Sequence, residues 1–136
     1  MFTVHRRVEF RDTDAAGIVH FSAFFPMMES AEHEMLRSLG ISVLPKSVDG
    51  EDPISWPRVA ANCDYQAAAH FEDLLQIDVS VSKIGTSSVS YLFQFSRDGS
   101  HVAKGTLTAV CCRLADSGLL KTAIPDDVRK LFEKHL

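Results

Sequence analysis

The chain has 136 residues, 46% hydrophobic and 24% charged, a balance that suits one globular domain with a real core and excludes a disordered chain or two ordinary domains. Eighteen acidic residues against 14 basic ones leave a net charge of -4, so no broad basic field exists to hold a nucleic-acid backbone; a small phosphorylated ligand needs only a few local cations. No apolar run approaches the ~20 residues of a membrane span, and the alternating N-terminus lacks a secretory block, so a cytoplasmic location is expected.

In "FTVHRRVEF" the residues Phe2, Val4, Val8 and Phe10 share one side at a period of two, interrupted by Arg6, which predicts a first strand. Beyond it, Phe21, Phe24, Phe25, Met28, Ala31, Met35 and Leu39 recur at three- and four-residue spacing, while Glu29, Glu32, His33 and Arg37 fall elsewhere. That pattern predicts an amphipathic helix stopped at Gly40 and bent or delayed at Pro26. Three prolines and no periodicity make about residues 40 to 57 a long connection, a kind of segment that often flanks binding sites. Strands follow, with Val59, Ala61, Cys63 and Tyr65 on one side, then Leu75, Ile77, Val79 and Val81, then Val89, Tyr91, Phe93 and Phe95. Asp98-Gly99 is a hairpin turn leading to a last long strand from about His101 to Leu114. "IPDDVRKLFEKHL" closes the chain as a short helix with Asp126 and Asp127 in its first turn. The fold class expected is α+β: one long helix covered by one curved, mostly antiparallel sheet.

Several chemistries lack their residues. "HEMLR" at His33 begins like a zinc-protease helix, but Arg37 stands where the second ligand belongs, and the other histidines have no ligand spacing. Neither a GxSxG elbow nor a glycine-rich phosphate cradle occurs. Cys63, Cys111 and Cys112 lie in apolar strands, so free buried thiols are expected and not nucleophiles or disulfides. A magnesium-binding aspartate pair would need a buried strand before it and later acidic ligands that this short chain does not offer.

"FRDTDAAGIVHF" is left. Asp14 stands seven residues before Phe21, so a small-residue turn carries the backbone from its carboxylate to a helix N-terminus, where N–H groups are unpaired and the dipole is positive. A carbonyl accepting such an N–H is polarised, and a nearby carboxylate attacks it or deprotonates a water. A carboxylate is a weak nucleophile, better matched to a thioester than to an amide. The bland alternative is that Asp12 and Asp14 are turn formers bonding their own backbone, with Ala15, Ala16 and Gly17 permitting the bend. Spacing alone leaves both readings open.

The stretch "DTDAAGIVHFSAFFPMMESAEHEMLRSLG", Asp12 to Gly40, resembles the opening signature of the 4-hydroxybenzoyl-CoA thioesterase family of hotdog-fold acyl-CoA thioesterases, in which DxDxxGIV precedes a long central helix. "PRVAANCDYQAAAHFEDLL" resembles that family's second strand and following turn. The resemblance implies a hotdog fold with a five-stranded antiparallel sheet around the helix, a homodimer with continuous sheet or a homotetramer, and sites between subunits. It implies an acyl-CoA substrate, aromatic or short, with coenzyme A part of the substrate and no cofactor or metal. The catalytic carboxylate falls on Asp14, and the backbone N–H that polarises the thioester carbonyl falls at Phe21. Gly17, His20 and Phe24 fall at the substrate-binding site, Asp12 in the turn, and Asp64, Tyr65 and Asp73 in the scaffold or pocket wall. The chain departs from the family with His20 where many members have Tyr, and with Ala68 and Ala69 where many have proline. Ser87, Ser88 and Ser90 are further candidates for ligand contact, and Arg58, Lys83, Arg97 and Lys104 for the coenzyme A phosphates. A non-catalytic acyl-thioester-binding hotdog protein is one alternative. A hotdog dehydratase or hydratase is the other, and its GDxNPxH string is absent.

Overall fold

The computed structural model describes residues 1–47 and 50–136. Strand β1 (Phe2–Arg7) leads through two short 3-10 turns, Phe10–Asp12 and Phe21–Ala23, into helix α1 (Phe24–Ser38). After β2 (Ile54–Ser55) come the long strands β3 (Arg58–Tyr65), β4 (Leu74–Ile84), β5 (Ser88–Arg97) and β6 (Ser100–Val110). Short β7 (Cys112–Ala115) and β8 (Gly118–Lys121) precede helix α2 (Asp126–Glu133). Five strands form one antiparallel sheet in the order β1-β4-β5-β6-β3. Among the described residues no helix is long and apolar enough to cross a membrane.

Alternation along β4 and β5 drives the core, with Leu75, Ile77, Val79, Val89, Phe93 and Phe95 buried on the face that meets Phe24, Met28, Ala31 and Met35 of α1. Gly105 in β6 lets the helix approach: a Cβ there would collide with the Met28 thioether and lie 3.3 Å from the Asn62 carbonyl. Pro26 falls in the first turn of α1, where its missing N–H deprives no carbonyl within the helix, so the helix starts after the 3-10 turn and not at Phe21. It ends as expected, with Gly40 at φ 77° and the Ile41 N–H returning 2.8 Å to the Leu36 carbonyl. Asp98 and Gly99, at φ 50° and 80°, make the β5–β6 hairpin turn.

Five expectations change. Phe10 is 77% exposed, because β1 stops at Arg7 and residues 10 to 12 coil, while Arg6 on the inward side pairs with Glu34 and Ser30 of α1. Glu32 is buried at 1% exposure, because Arg58 reaches in from β3 to hold its carboxylate with two guanidinium nitrogens. The final strand is two strands, parted at Cys111, and its second part joins a small three-stranded sheet, β2-β7-β8. The connection of residues 40 to 57 thereby contains β2; its residues Val48 and Asp49 lie outside the described ones. The three cysteines are free, but Cys63 is only half-buried, since β3 is an edge strand.

α2 closes the far end of the barrel-like core. Phe132 is buried edge-on to Trp56 and Tyr91, at ring distances of 5.7 and 6.2 Å.

Candidate active site

The acidic turn is built by its own side chains. Asp12 accepts the Glu9 N–H at 2.8 Å, and the His20 N–H returns to the Asp12 carbonyl at 2.7 Å, which closes the loop onto the helix head. Inside it, the Asp14 N–H donates to the Ile18 carbonyl at 2.9 Å, and the Gly17 N–H donates to the Asp14 carbonyl at 3.0 Å. Gly17 takes φ 82°, a left-handed bend that a residue with a Cβ resists. Asp14 Oδ1 accepts the Ala16 N–H at 2.9 Å, whereas Oδ2 has no partner among the described residues. The two readings of the acids thus divide between atoms: Asp12 and one oxygen of Asp14 form the turn, and the other oxygen is free.

The helix head presents a complementary vacancy of donors. His20 precedes the 3-10 turn; its Nδ1 accepts the Ser22 N–H at 3.2 Å and its carbonyl accepts the Ala23 N–H at 2.9 Å. Of the first three amides, only Phe21 N–H has no acceptor among the described residues, and it stands at the positive end of a long helix.

A cleft of about 360 Å³ joins these groups. Asp14, Phe21 and Phe24 line it together with Ile18, Val19, Tyr65, Gln66 and the Ala67–Ala69 segment. The Tyr65 hydroxyl, from the end of β3, donates to the Phe21 carbonyl at 2.7 Å, and its ring meets Phe24 edge-on at 5.4 Å. Desolvation, then the neighbouring Cys63 and Asp64, hold the Tyr65 phenol above its usual range, so it stays a donor. The alanine wall is clamped from behind: Arg97 donates to the Ala68 carbonyl at 3.0 Å and to Asp73 at 2.8 Å. The His70 N–H and then Arg97 hold the Asp73 carboxyl below its usual range.

Gly17 and His20 are not among the lining residues; the His20 ring stacks on Phe21 at 4.5 Å. Ser87, Ser88 and Ser90 lie at the opposite end of β5 and outside the cleft. Of the four cations proposed for phosphates, Arg58 and Arg97 are committed to Glu32 and Asp73, while Lys83 and Lys104 are exposed. Ile18, Val19 and Gln66 were not singled out in the sequence. The first two sit inside the acidic motif itself, and Gln66 directly follows the last residue of β3. A larger hollow of about 410 Å³ lies under the 40–57 connection and α2, but none of its lining comes from the acidic turn or the head of α1.

An antiparallel sheet packed around one long helix, with Asp14 of the acidic turn and Phe21 at the helix head lining one cleft, is the hotdog architecture. The chain belongs to the thioesterase-like superfamily, whose model matches residues 8–132. It is 27% identical over 132 residues to the acyl-CoA thioesterase YbgC of Haemophilus influenzae, covering 96% of this chain and 93% of that protein. Its structure is similar to that of a 1,4-dihydroxy-2-naphthoyl-CoA thioesterase from Synechocystis, with TM-score 0.84, 26% identity and coverage of 96% and 94%. It is likewise similar to a gentisyl-coenzyme A thioesterase, with TM-score 0.82, 30% identity and coverage of 96% and 99%.

Proposed function

We propose that the protein hydrolyses the thioester of an acyl-CoA with a compact, aromatic or short acyl group, releasing the free acid and coenzyme A. The observation that carries this reading is the cleft shared by the unpartnered Asp14 oxygen and the unpartnered Phe21 N–H. The thioester carbonyl oxygen takes the Phe21 N–H as negative charge develops on it, a contribution of roughly 2.7–4 kcal/mol for one such donor. Asp14 acts as nucleophile on the carbonyl carbon, expelling the thiolate and forming a mixed anhydride that water then hydrolyses to the free acid and the regenerated carboxylate; or it acts as general base, taking a proton from a water that attacks the carbonyl carbon, after which the C–S bond breaks and the thiolate leaves. The scheme uses no group beyond the chain, water and substrate. Relatives that act on dihydroxynaphthoyl-CoA and gentisyl-CoA support an aromatic acyl group. So do the Phe21, Phe24 and Tyr65 rings, which line the cleft with Ile18, Val19 and three alanines.

The working unit in this reading is a homodimer or a tetramer of such dimers, joined along β3. That strand is one of the two edges of the main sheet, with Val59 61% exposed and Ala60, Ala61 and Asn62 exposed as well. An uncharged stretch of edge backbone with apolar side chains invites a second strand.

Free-thiol release from a panel of aromatic, short and long acyl-CoAs, with the native protein and with Asp14→Asn, tests the reading. The folded variant is expected to lose at least about a hundredfold in kcat. Tight binding without turnover by the native protein makes it a binding module instead, and hydration of an enoyl-CoA makes it a hydratase.

A further inference from the structure

The oxyanion donor proposed above is a backbone amide, so its aim depends on whatever fixes the backbone at Phe21. Side-chain packing does little of this: Phe21 is 63% exposed, and Ser22 beside it is exposed too. Within the turn, the His20 carbonyl, in the same peptide unit as the Phe21 N–H, accepts the Ala23 N–H at 2.9 Å. From outside the helix, one side chain reaches the next peptide unit. The Tyr65 hydroxyl crosses from β3, 44 residues away, and donates to the Phe21 carbonyl at 2.7 Å.

Tyr65 is 47% exposed, but its backbone and ring are both engaged. It is the last residue of β3, paired in register with Ala103 of β6, and its ring lies edge-on to Phe24, which in turn lies edge-on to Phe95 in the core at 5.2 Å. The hydroxyl therefore ties the helix head to the sheet, at the residue that lines the cleft and whose N–H has no acceptor among the described residues. We infer that Tyr65 is a positioning residue for the reaction, a strut that holds the Phe21 amide at the angle needed to meet the developing oxyanion. This rests on the reading of Phe21 N–H as the donor.

The consequence is specific in kind. An oxyanion donor works only within about 2.7–3.1 Å of the charged oxygen, and functional groups need placement within about 0.5 Å. A loosened helix head weakens a bond made chiefly in the transition state, so the loss falls on kcat and leaves KM alone.

Tyr65→Phe removes the hydroxyl and keeps the ring that walls the cleft. With the best acyl-CoA found for the native protein, kcat is expected to fall about tenfold, a fraction of the hundred- to thousandfold that loss of a whole donor brings. KM is expected to stay within about twofold, because the ring contacts persist. Followed by hydrogen exchange in labelled protein, the amide of Ala23, which closes the 3-10 turn on the His20 carbonyl at 2.9 Å, is expected to exchange faster in the variant, while the β4 and β5 amides keep native protection. An unchanged kcat, or a loss carried wholly by KM, overturns the inference. If the native protein hydrolyses no thioester, the proposed function falls on its own, and exchange at Ala23 decides about the strut: faster exchange in the variant sustains it and equal exchange removes it.

Discussion

Arg58→Met, which keeps the length of the side chain and removes the guanidinium, should expose how strongly the buried Glu32 depends on its partner. Glu32 is 1% exposed on α1, and Arg58, with a side chain 24% exposed, supplies both nitrogens that hold its carboxylate; His33 approaches only to 3.8 Å. Even so, burial pushes the Glu32 carboxyl above its usual 4.5, because desolvation outweighs the hydrogen bonds and charge of Arg58. The folded state thus holds its proton to higher pH than the unfolded chain does, and stability from this group is present below 4.5 and lost as pH rises through the raised value. Without the guanidinium, an almost fully desolvated carboxylate stands alone. Breaking one side of such a pair costs about 3–5 kcal/mol, a large part of the 5–15 kcal/mol typical of a domain. Glu32→Gln should cost only about 1–2 kcal/mol, since its amide oxygen still accepts and Arg58 turns toward water. In the double variant about 2–3 kcal/mol of the Arg58→Met loss should return. Urea unfolding at a fixed protomer concentration, at pH 8 and pH 5.5, measures all four proteins. The loss in Arg58→Met should be smaller at pH 5.5, where Glu32 takes up a proton more readily. A loss under about 1 kcal/mol, one independent of pH, or strictly additive single effects would refute the argument.

Gly105→Ala should destabilise by about 1–3 kcal/mol, because the added methyl drives against the fully buried Met28 thioether and the Asn62 carbonyl. Adding Met28→Ala should recover part of that loss, and additive losses in thermal or urea unfolding would contradict the proposed clash. His135 buries an Nδ1 with no partner, stacks edge-on with Phe2 at 6.0 Å, and is held below its usual 6.5 by desolvation and then by the chain's amino terminus and Lys134. The unfolded chain therefore takes up a proton first as pH falls below 6.5, so stability should decline from there toward the lowered folded value. His135→Phe should flatten that part of the pH–stability curve; an unchanged slope would remove His135 as its source.

What the sequence made legible follows from where each constraint is local. The acid, the small-residue turn and the apolar helix are neighbours in the chain, so their spacing alone brought Asp14 and the helix head to within one loop of each other. The alternation of β4 and β5 was equally plain, because every second residue is buried from Leu75 to Val81 and from Val89 to Phe95. Legibility failed where a partner came from afar. Glu32 reads as a solvated helical residue until Arg58, 26 positions on, is folded against it. Phe10 reads as the continuation of a strand until Asp12 takes the Glu9 N–H and coils the chain. The break at Cys111 is invisible in an apolar run, because both halves suit a strand and only pairing with β2 and β8 separates them. The site repeats this division. Its two proposed reactive groups come from one short segment, but the wall that shapes the cleft comes from Tyr65 to Ala69, fastened by Arg97 and Asp73 later still. In the proposed function the locally encoded part governs whether a thioester is attacked and the part assembled across the sheet governs which acyl group enters, so reaction class is the more readable of the two from a single chain.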